Sequence, residues 1–207
     1  MSKNEILKKW ITIDLEKELL SKGVSEKNIE ILKSKTGVMP EDLEECYYYA
    51  KRSEEKQIIE TSKISWFTST RVNEHETLWT NIMAPACDDH RERFSQMRLA
   101  ICFNHFFEDQ FEDFCEWYQD NDEEPIKLNY YIQDDRYEVG GNGNHRTLVA
   151  RVTNVPLLLA TVHFFERDEA KYEEMIDKKK KIENDKKVKA NKGFLKTCFK
   201  QFFEKSK

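Results

Sequence analysis

The spacing of hydrophobic residues predicts helices through residues 3–60 of the chain. Apolar side chains recur there mostly at three- and four-residue steps, which is typical of amphipathic helices. Gly23 is a natural end for the first helix, and Ser25 can cap a second one. Pro40 opens a predicted third helix, since proline is well tolerated at a first helical position. The apolar faces of the three helices are formed by Ile6, Leu7, Trp10, Ile13 and Leu20, then Ile29 and Leu32, and then Leu43, Tyr47 and Ala50.

Residues 61–98 show no regular period and predict an irregular connecting region or a pair of short helices. Long connections often carry function, so this region could supply a lid or a second wall to a binding site. The simpler interpretation is a link that covers the core with Trp66 and Trp79. A strong helical stripe then predicts one amphipathic helix over residues 97–118. Its apolar positions are Ala100, Phe103, Phe107, Phe111, Phe114 and Trp117.

The period changes from helical to alternating after residue 125. Residues 126–131 and 137–139 predict two strands joined by a turn, 147–153 a helix, and 157–165 a buried strand. The predicted fold class is therefore α+β, a small mixed sheet with packed helices. The expected parts are a helical N-terminal region (1–60), a connecting region (61–98), a mixed domain (99–166) and a charged helical tail (167–207).

Composition indicates the cellular compartment of the protein, and charge is unevenly distributed along the chain. Charged residues make up 35% of the chain, the mean hydropathy is −0.80, and no apolar run approaches 18 residues. The five cysteines include no pair with metal-binding or redox spacing, and these features predict a cytoplasmic protein. Residues 178–207 carry 12 lysines against three acidic residues, a net charge of +9, so the other residues carry −14.

This basic tail is the expected contact if the protein binds nucleic acid, because the acidic body would be repelled by phosphates. Its last part, 193–203, has apolar residues at helical spacing among lysines. Such a segment could dock on its own domain or on a second copy, giving a homo-oligomer, whereas peripheral membrane contact is not expected.

A glycine cluster is the one segment that indicates chemistry. Three of the six glycines fall within residues 140–143, between a predicted strand and a predicted helix. A tight turn that opens a helix directs backbone N–H groups at one point and attracts anions. Gly141 and Gly143 would allow close backbone approach, while Asn144, His145 and Arg146 would contact a phosphate group.

Each of these residues also has a purely structural interpretation. The glycines could simply form a tight turn, Arg146 could pair with Glu138 or Asp134, and His145 could cap the helix or fill a partly buried slot. Glu138 is a candidate ligand for Mg²⁺ if a nucleotide is bound with the metal, although pairing within the hairpin explains it equally well.

The order helix, proline, strand, turn, strand, glycine loop, helix, turn, strand resembles the ParB/sulfiredoxin-like superfamily over about residues 100–165. The shared signature is Gly143-Asn144-His145-Arg146, with Val149-Ala150 behind it. Sulfiredoxins have their reactive cysteine at the position of Asn144, so the resemblance does not imply sulfinic acid reduction. ParB proteins have Glu-Arg at the positions of Asn144 and His145, so a CTP-dependent clamp is not implied either.

The resemblance implies a nucleotide- or phosphate-binding protein, either an NTP-dependent switch or a phosphotransfer or hydrolytic enzyme. In the enzyme hypothesis, His145 would orient or deprotonate the acceptor. Two alternatives stay open at this stage. One is a DNA-associated protein or nuclease that contacts DNA through the basic tail, and the other is a non-enzymatic interaction protein with a degenerate loop.

Overall fold

The chain folds into a mixed α+β structure. The computed structural model describes residues 2–67, 76–83, 94–120, 125–184 and 186. The helices are α1 (Lys3–Thr12), α2 (Leu15–Ser21), α3 (Glu26–Ser34), α4 (Glu41–Glu44), α5 (Leu78–Met83), α6 (Gln96–Glu108), α7 (Phe111–Asp120), α8 (Asn144–Thr153) and α9 (169–184). The strands are β1 (Tyr47–Glu60), β2 (Ile64–Phe67), β3 (Ile126–Tyr131), β4 (Arg136–Val139) and β5 (Leu157–Arg167). Single 3₁₀ turns at Thr61–Lys63 and Ile132–Asp134 precede β2 and β4.

The five strands form one mixed sheet in the order β1-β5-β3-β4-β2. β1 pairs antiparallel with β5, and β3 pairs antiparallel with β4. The β3–β5 and β2–β4 pairs are parallel. Parallel strands need a long crossover connection, and the chain makes the one from β3 to β5 through β4 and α8. The crossover places α8 against the sheet.

A single hydrophobic core joins this sheet to the N-terminal helices. On one face of the sheet, Leu128 pairs with Val139 on one side and Val162 on the other, and all three are buried. α1 reaches the same core through Trp10, whose ring stacks on Phe103 of α6 with 4.9 Å between centroids. The predicted N-terminal region and the predicted mixed domain therefore share one core.

The prediction of helix through residue 60 is wrong for its last part, because Tyr47–Glu60 form β1. Lys51 and Lys56 adopt left-handed backbone conformations (φ +55° and +54°), and the pairing with β5 shifts register at both places. Such bulges interrupt the alternation of inward and outward residues, and this hides the strand period in the sequence. Ser25 does cap α3, as predicted.

The predicted helix over 97–118 is two helices. α6 ends at Glu108, Asp109 is extended, and α7 starts at Phe111, which brings Phe106 and Phe114 together with 5.4 Å between ring centroids.

Within the region predicted to be irregular, β2 and α5 are regular elements, whereas residues 68–75 and 84–93 lie outside the described part.

The later elements confirm the sequence-based expectations. The two strands after residue 125, the helix behind the glycine loop and the strand after Pro156 all form at or within a few residues of the predicted positions. The tail is helical over 169–184, where Lys179 pairs with Asp42 at 2.6 Å, but most of its lysine-rich part lies beyond the described residues. No helix in the described ranges is long and apolar enough to cross a membrane.

The contact between α1 and α6 can be tested by truncating Phe103. We expect Phe103→Ala to lower the free energy of unfolding by about 3–5 kcal/mol, because the ring is fully buried and its removal leaves a cavity. Phe111→Ala is the matched control, since Phe111 is 42% exposed and should cost much less. Urea unfolding of both variants measures the difference, and equal losses would contradict the assigned core.

Candidate functional site

The glycine loop is fastened to strand β3 by backbone hydrogen bonds. The Gly140 N–H donates to the Lys127 carbonyl at 2.8 Å, and the Lys127 N–H donates to the Asn142 carbonyl at 3.2 Å. The Asn142 side-chain amide adds a bond of 3.3 Å to the Pro125 carbonyl. These bonds fix the loop before α8 begins.

Backbone geometry explains why glycines occupy the loop. Gly143 has φ +94°, and a Cβ there would lie 2.8 Å from the buried, β-branched side chain of Ile126. Gly141 has φ +122° with open space around it, whereas a Cβ at Gly140 would lie 2.6 Å from Asn129 Oδ1. The requirements of a tight turn therefore account for the glycines. The same turn leaves open space beside Gly141, where a ligand could approach the backbone.

Helix α8 starts at this loop without a side-chain cap. Gly143 is its N-cap, and the first intrahelical bond runs from the Thr147 N–H to the Gly143 carbonyl at 2.8 Å. The side-chain amide of Asn144 instead donates to the Gly141 carbonyl at 3.0 Å and closes the loop. The partial positive charge of the amino end is thus not offset by an acidic cap.

A cavity of about 440 Å³ lies at this end of α8. Residues 141–146 form one wall, and Arg98, Ile101 and Cys102 of α6 form the other. No acidic residue lines the cavity among the described residues. Within that part of the chain, neither Arg98 nor Arg146 donates its guanidinium to a carboxylate or to any other acceptor. The cavity is consequently an electropositive recess in an acidic protein.

The electrostatic character of the recess is visible at Cys102. Burial raises the pKa of its thiol to about 11, and the positive charges of Arg146 and Arg98 oppose this rise. The charges of both arginines therefore reach the Cys102 thiol, but the effect of burial on its pKa is larger. At neutral pH Cys102 is a protonated thiol and a poor nucleophile.

His145 is held by a neighbouring helix. Its Nε2 accepts a hydrogen bond of 2.8 Å from the Ser95 backbone N–H, and its ring meets Phe94 edge-on with 5.3 Å between centroids. The side chain is buried, with 9% of its surface exposed. An Nε2 that accepts from an amide carries no proton, so the bond fixes the tautomer with hydrogen on Nδ1. This arrangement matches the predicted slot and occupies the nitrogen that a general base would use.

Glu138 lies in the sheet and does not line the cavity. Its Oε2 accepts from the Tyr131 hydroxyl at 2.8 Å and from the Asn129 amide at 3.1 Å. Burial raises the pKa of this carboxyl, and the two hydrogen bonds partly offset that effect. Asp134 pairs with Arg167 at 3.4 Å. Neither acid is the partner of Arg146, so the proposed structural pairing of Arg146 is wrong.

The described residues do not build a magnesium site of their own. They contain no group of three or more histidine, cysteine, aspartate or glutamate side chains that could hold a metal ion. Glu138, the candidate ligand, is engaged by two donors away from the cavity. The donor set of the recess, guanidinium and amide nitrogen, suits an anion and not a cation.

The α6 side of the cavity was missed by sequence reasoning. Arg98 and Cys102 are four residues apart and therefore share one face of α6. Nothing local links them to a loop more than 38 residues later. The helical spacing of an arginine beside the apolar stripe was the only available signal.

Comparison with known proteins identifies no similar protein. No family model, no curated protein and no solved structure matches the chain. The resemblance to the ParB/sulfiredoxin-like superfamily therefore depends on the loop residues and the order of elements alone.

Replacing Gly143 tests the geometry of the loop. We expect Gly143→Ala to lower the free energy of unfolding by about 2–5 kcal/mol, because left-handed strain and a clash with Ile126 add together. Gly23→Ala is the control, with φ +87° and no atom within 4 Å, and should cost about 1–2 kcal/mol. Urea unfolding measures both, and a smaller loss at Gly143 than at Gly23 would contradict the close packing.

The reactivity of Cys102 tests the character of the cavity. With a pKa of about 11, about one thiol in a thousand is ionised at pH 8, so alkylation by iodoacetamide should be slow there and should rise about tenfold per pH unit toward pH 11. Peptide mapping by mass spectrometry follows the site, with urea-unfolded protein as the fast control. Rapid labelling of the folded protein at pH 8 would show that the thiol is not desolvated.

Proposed function

We propose that the protein binds a phosphate group of a nucleotide or of another phosphorylated ligand in the cavity at the amino end of α8. The observation that carries this proposal is the pair Arg98 and Arg146. Both line one cavity beside the glycine loop, and within the described residues no carboxylate neutralises either of them.

The chemistry of the cavity favours a phosphate over a singly charged anion. Two guanidinium groups and the positive end of a helix together match a dianion, and guanidinium binds phosphate oxygens in pairs. Ile101 and Cys102 add an apolar patch on the opposite wall, where a less polar part of the ligand can lie. A volume of about 440 Å³ leaves room for a ligand larger than the phosphate alone.

Binding is better supported than catalysis. His145 Nε2 accepts from Ser95, and the Cys102 thiol is protonated, so neither offers an available base or nucleophile at neutral pH. We therefore propose a phosphate-dependent binding protein or switch, with His145 positioning α6 against α8. Any Mg²⁺ would be held by the phosphates of a nucleotide, since the described lining offers it no carboxylate.

A domain of the ParB/sulfiredoxin-like type is part of the same proposal. Its support is the Gly143-Asn144-His145-Arg146 box, which forms the N-cap and the first turn of α8 after β4 and lines the cavity. The DNA-binding alternative depends on the lysine-rich residues beyond 186, which lie outside the described part of the chain.

Removing either arginine tests the proposal. We expect Arg98→Ala and Arg146→Ala each to weaken binding of inorganic phosphate, or of whichever of ATP, ADP, CTP and GTP binds, by about tenfold or more, because each loses a charge-assisted contact. Isothermal titration with and without Mg²⁺ measures the affinities. Arg52→Ala is the control, since Arg52 is exposed on β1 and pairs with Glu54.

The ionic strength is kept constant across these titrations. A general effect of lost positive charge would weaken ligand binding by all three variants alike, whereas a site in the cavity weakens it only in the two cavity variants. No binding of phosphate or of any nucleotide by the wild type would refute the proposed function. Unchanged affinity in both cavity variants would place the ligand elsewhere.

A further inference from the structure

Strand β1 forms one outer edge of the sheet. It pairs with β5 on one side, and no strand in the described part of the chain pairs with its other side. The backbone N–H and C=O groups along such an edge can bind a further strand. With 14 residues, β1 is the longest strand described, so the sheet offers a long edge at which it can be extended.

Exposed apolar side chains lie toward both ends of this edge. Tyr48 and Tyr49 are 51% and 44% exposed near its start, and Ile58 is 51% exposed near its end. Tyr49 and Ile58 share a face of the sheet, because they pair with residues 165 and 159 of β5 and alternate residues of a strand share a face. A second strand that covered this edge would shield these side chains from water.

The charges between these apolar ends are ordered in a self-complementary way. Residues 51–55 are Lys-Arg-Ser-Glu-Glu, two positive side chains and two negative ones on either side of Ser53. If a second copy of β1 lies antiparallel with Ser53 opposite Ser53, Arg52 lies opposite Glu54 and Lys51 opposite Glu55. A parallel copy in register would place like charges opposite each other. Opposite charges stabilise a strand pair and like charges destabilise it, so the order favours antiparallel pairing.

Two bulges in β1 favour the same partner. Lys51 and Lys56 have left-handed backbone conformations, and the pairing with β5 shifts register at both places. Bulges bend a strand and protect its edge from pairing with regular strands. They lie two and three residues from Ser53, on either side of it. A second β1 related by a two-fold axis at Ser53 therefore bends at nearly the same places.

We propose that β1 is the interface of a homodimer, in which two β1 strands pair antiparallel around Ser53. The two five-stranded sheets then form one continuous sheet, and the same surface of each copy contacts the other. Tyr48 and Tyr49 of one copy lie beside the end of β1 that holds Ile58 in the second copy. Because the contact is one strand wide and contains charges, the dimer is weak and is weakened further by salt.

Reversing the charges on either side of Ser53 tests the proposal by sedimentation velocity. Lys51→Glu/Arg52→Glu makes the segment wholly negative, and Glu54→Lys/Glu55→Lys makes it wholly positive. We expect the wild type to dimerise as its concentration rises, and each variant alone to dimerise about tenfold or more weakly, because like charges then oppose each other. An equimolar mixture of the two variants should form a heterodimer, since opposite charges face each other again.

Lys8→Glu/Lys17→Glu is the matched control for the negative variant. It makes the same change in net charge at exposed positions of α1 and α2, so it should dimerise like the wild type. Urea unfolding checks that each variant is folded, and if one of the two β1 variants is not, the other tests the proposal alone.

The proposal is overturned by a wild type that stays monomeric up to about 500 µM. It is also overturned by unchanged dimerisation in the β1 variants, which would place the interface elsewhere, or by a mixture of two folded variants that forms no heterodimer. All samples are free of phosphate and nucleotides, so these outcomes are separate from those for the cavity at α8.

Discussion

The close contact between Gly143 and Ile126 is the constraint on which the cavity at the amino end of α8 depends. Only a residue without Cβ can adopt φ +94° there and lie against the β-branched side chain of a buried strand. This contact sets the first residue of α8 and its height above the sheet. α8 then runs through the core with Leu148, Val149, Ala150 and Val152 fully buried, so its side chains cannot rotate to other faces. Arg146, in the first turn of α8, thereby lines the cavity.

Arginines without an ion pair are unexpected in a chain that is rich in carboxylates. The chain has a net charge of −5 and 39 acidic residues, so carboxylates are plentiful, and lysines such as Lys9, Lys33 and Lys63 pair with them. Within the described residues, Arg98 and Arg146 do not. Leaving charges unpaired beside a cavity stabilises nothing in the ligand-free protein. In the proposed function, a phosphate group would supply the missing charge beside Arg98 and Arg146.

Local sequence patterns were sufficient for the glycine loop, β3, β4, α8 and β5, because turn glycines and hydrophobic periods are encoded over a few residues. They failed for β1, since the left-handed residues Lys51 and Lys56 shift the alternation and the pairing partner β5 is about 100 residues away. They also missed the second wall of the cavity. Arg98 and Cys102 meet the loop only through the packing of α6 on α8, and no local pattern reports a contact of that kind.

His145 shows why the same residues support binding more than chemistry. From the sequence, a histidine beside an arginine at a helix start is a natural proton carrier. In the folded chain its Nε2 is bonded to the amide of Ser95, 50 residues earlier, and Ser95 is the N-cap of α6. Arg98 lies one turn further along α6. The hydrogen bond therefore joins the start of α6, the helix of Arg98, to α8, the helix of Arg146. In the proposed function, the histidine would contribute by holding α6 against α8, so that Arg98 and Arg146 stay on the two walls of one cavity.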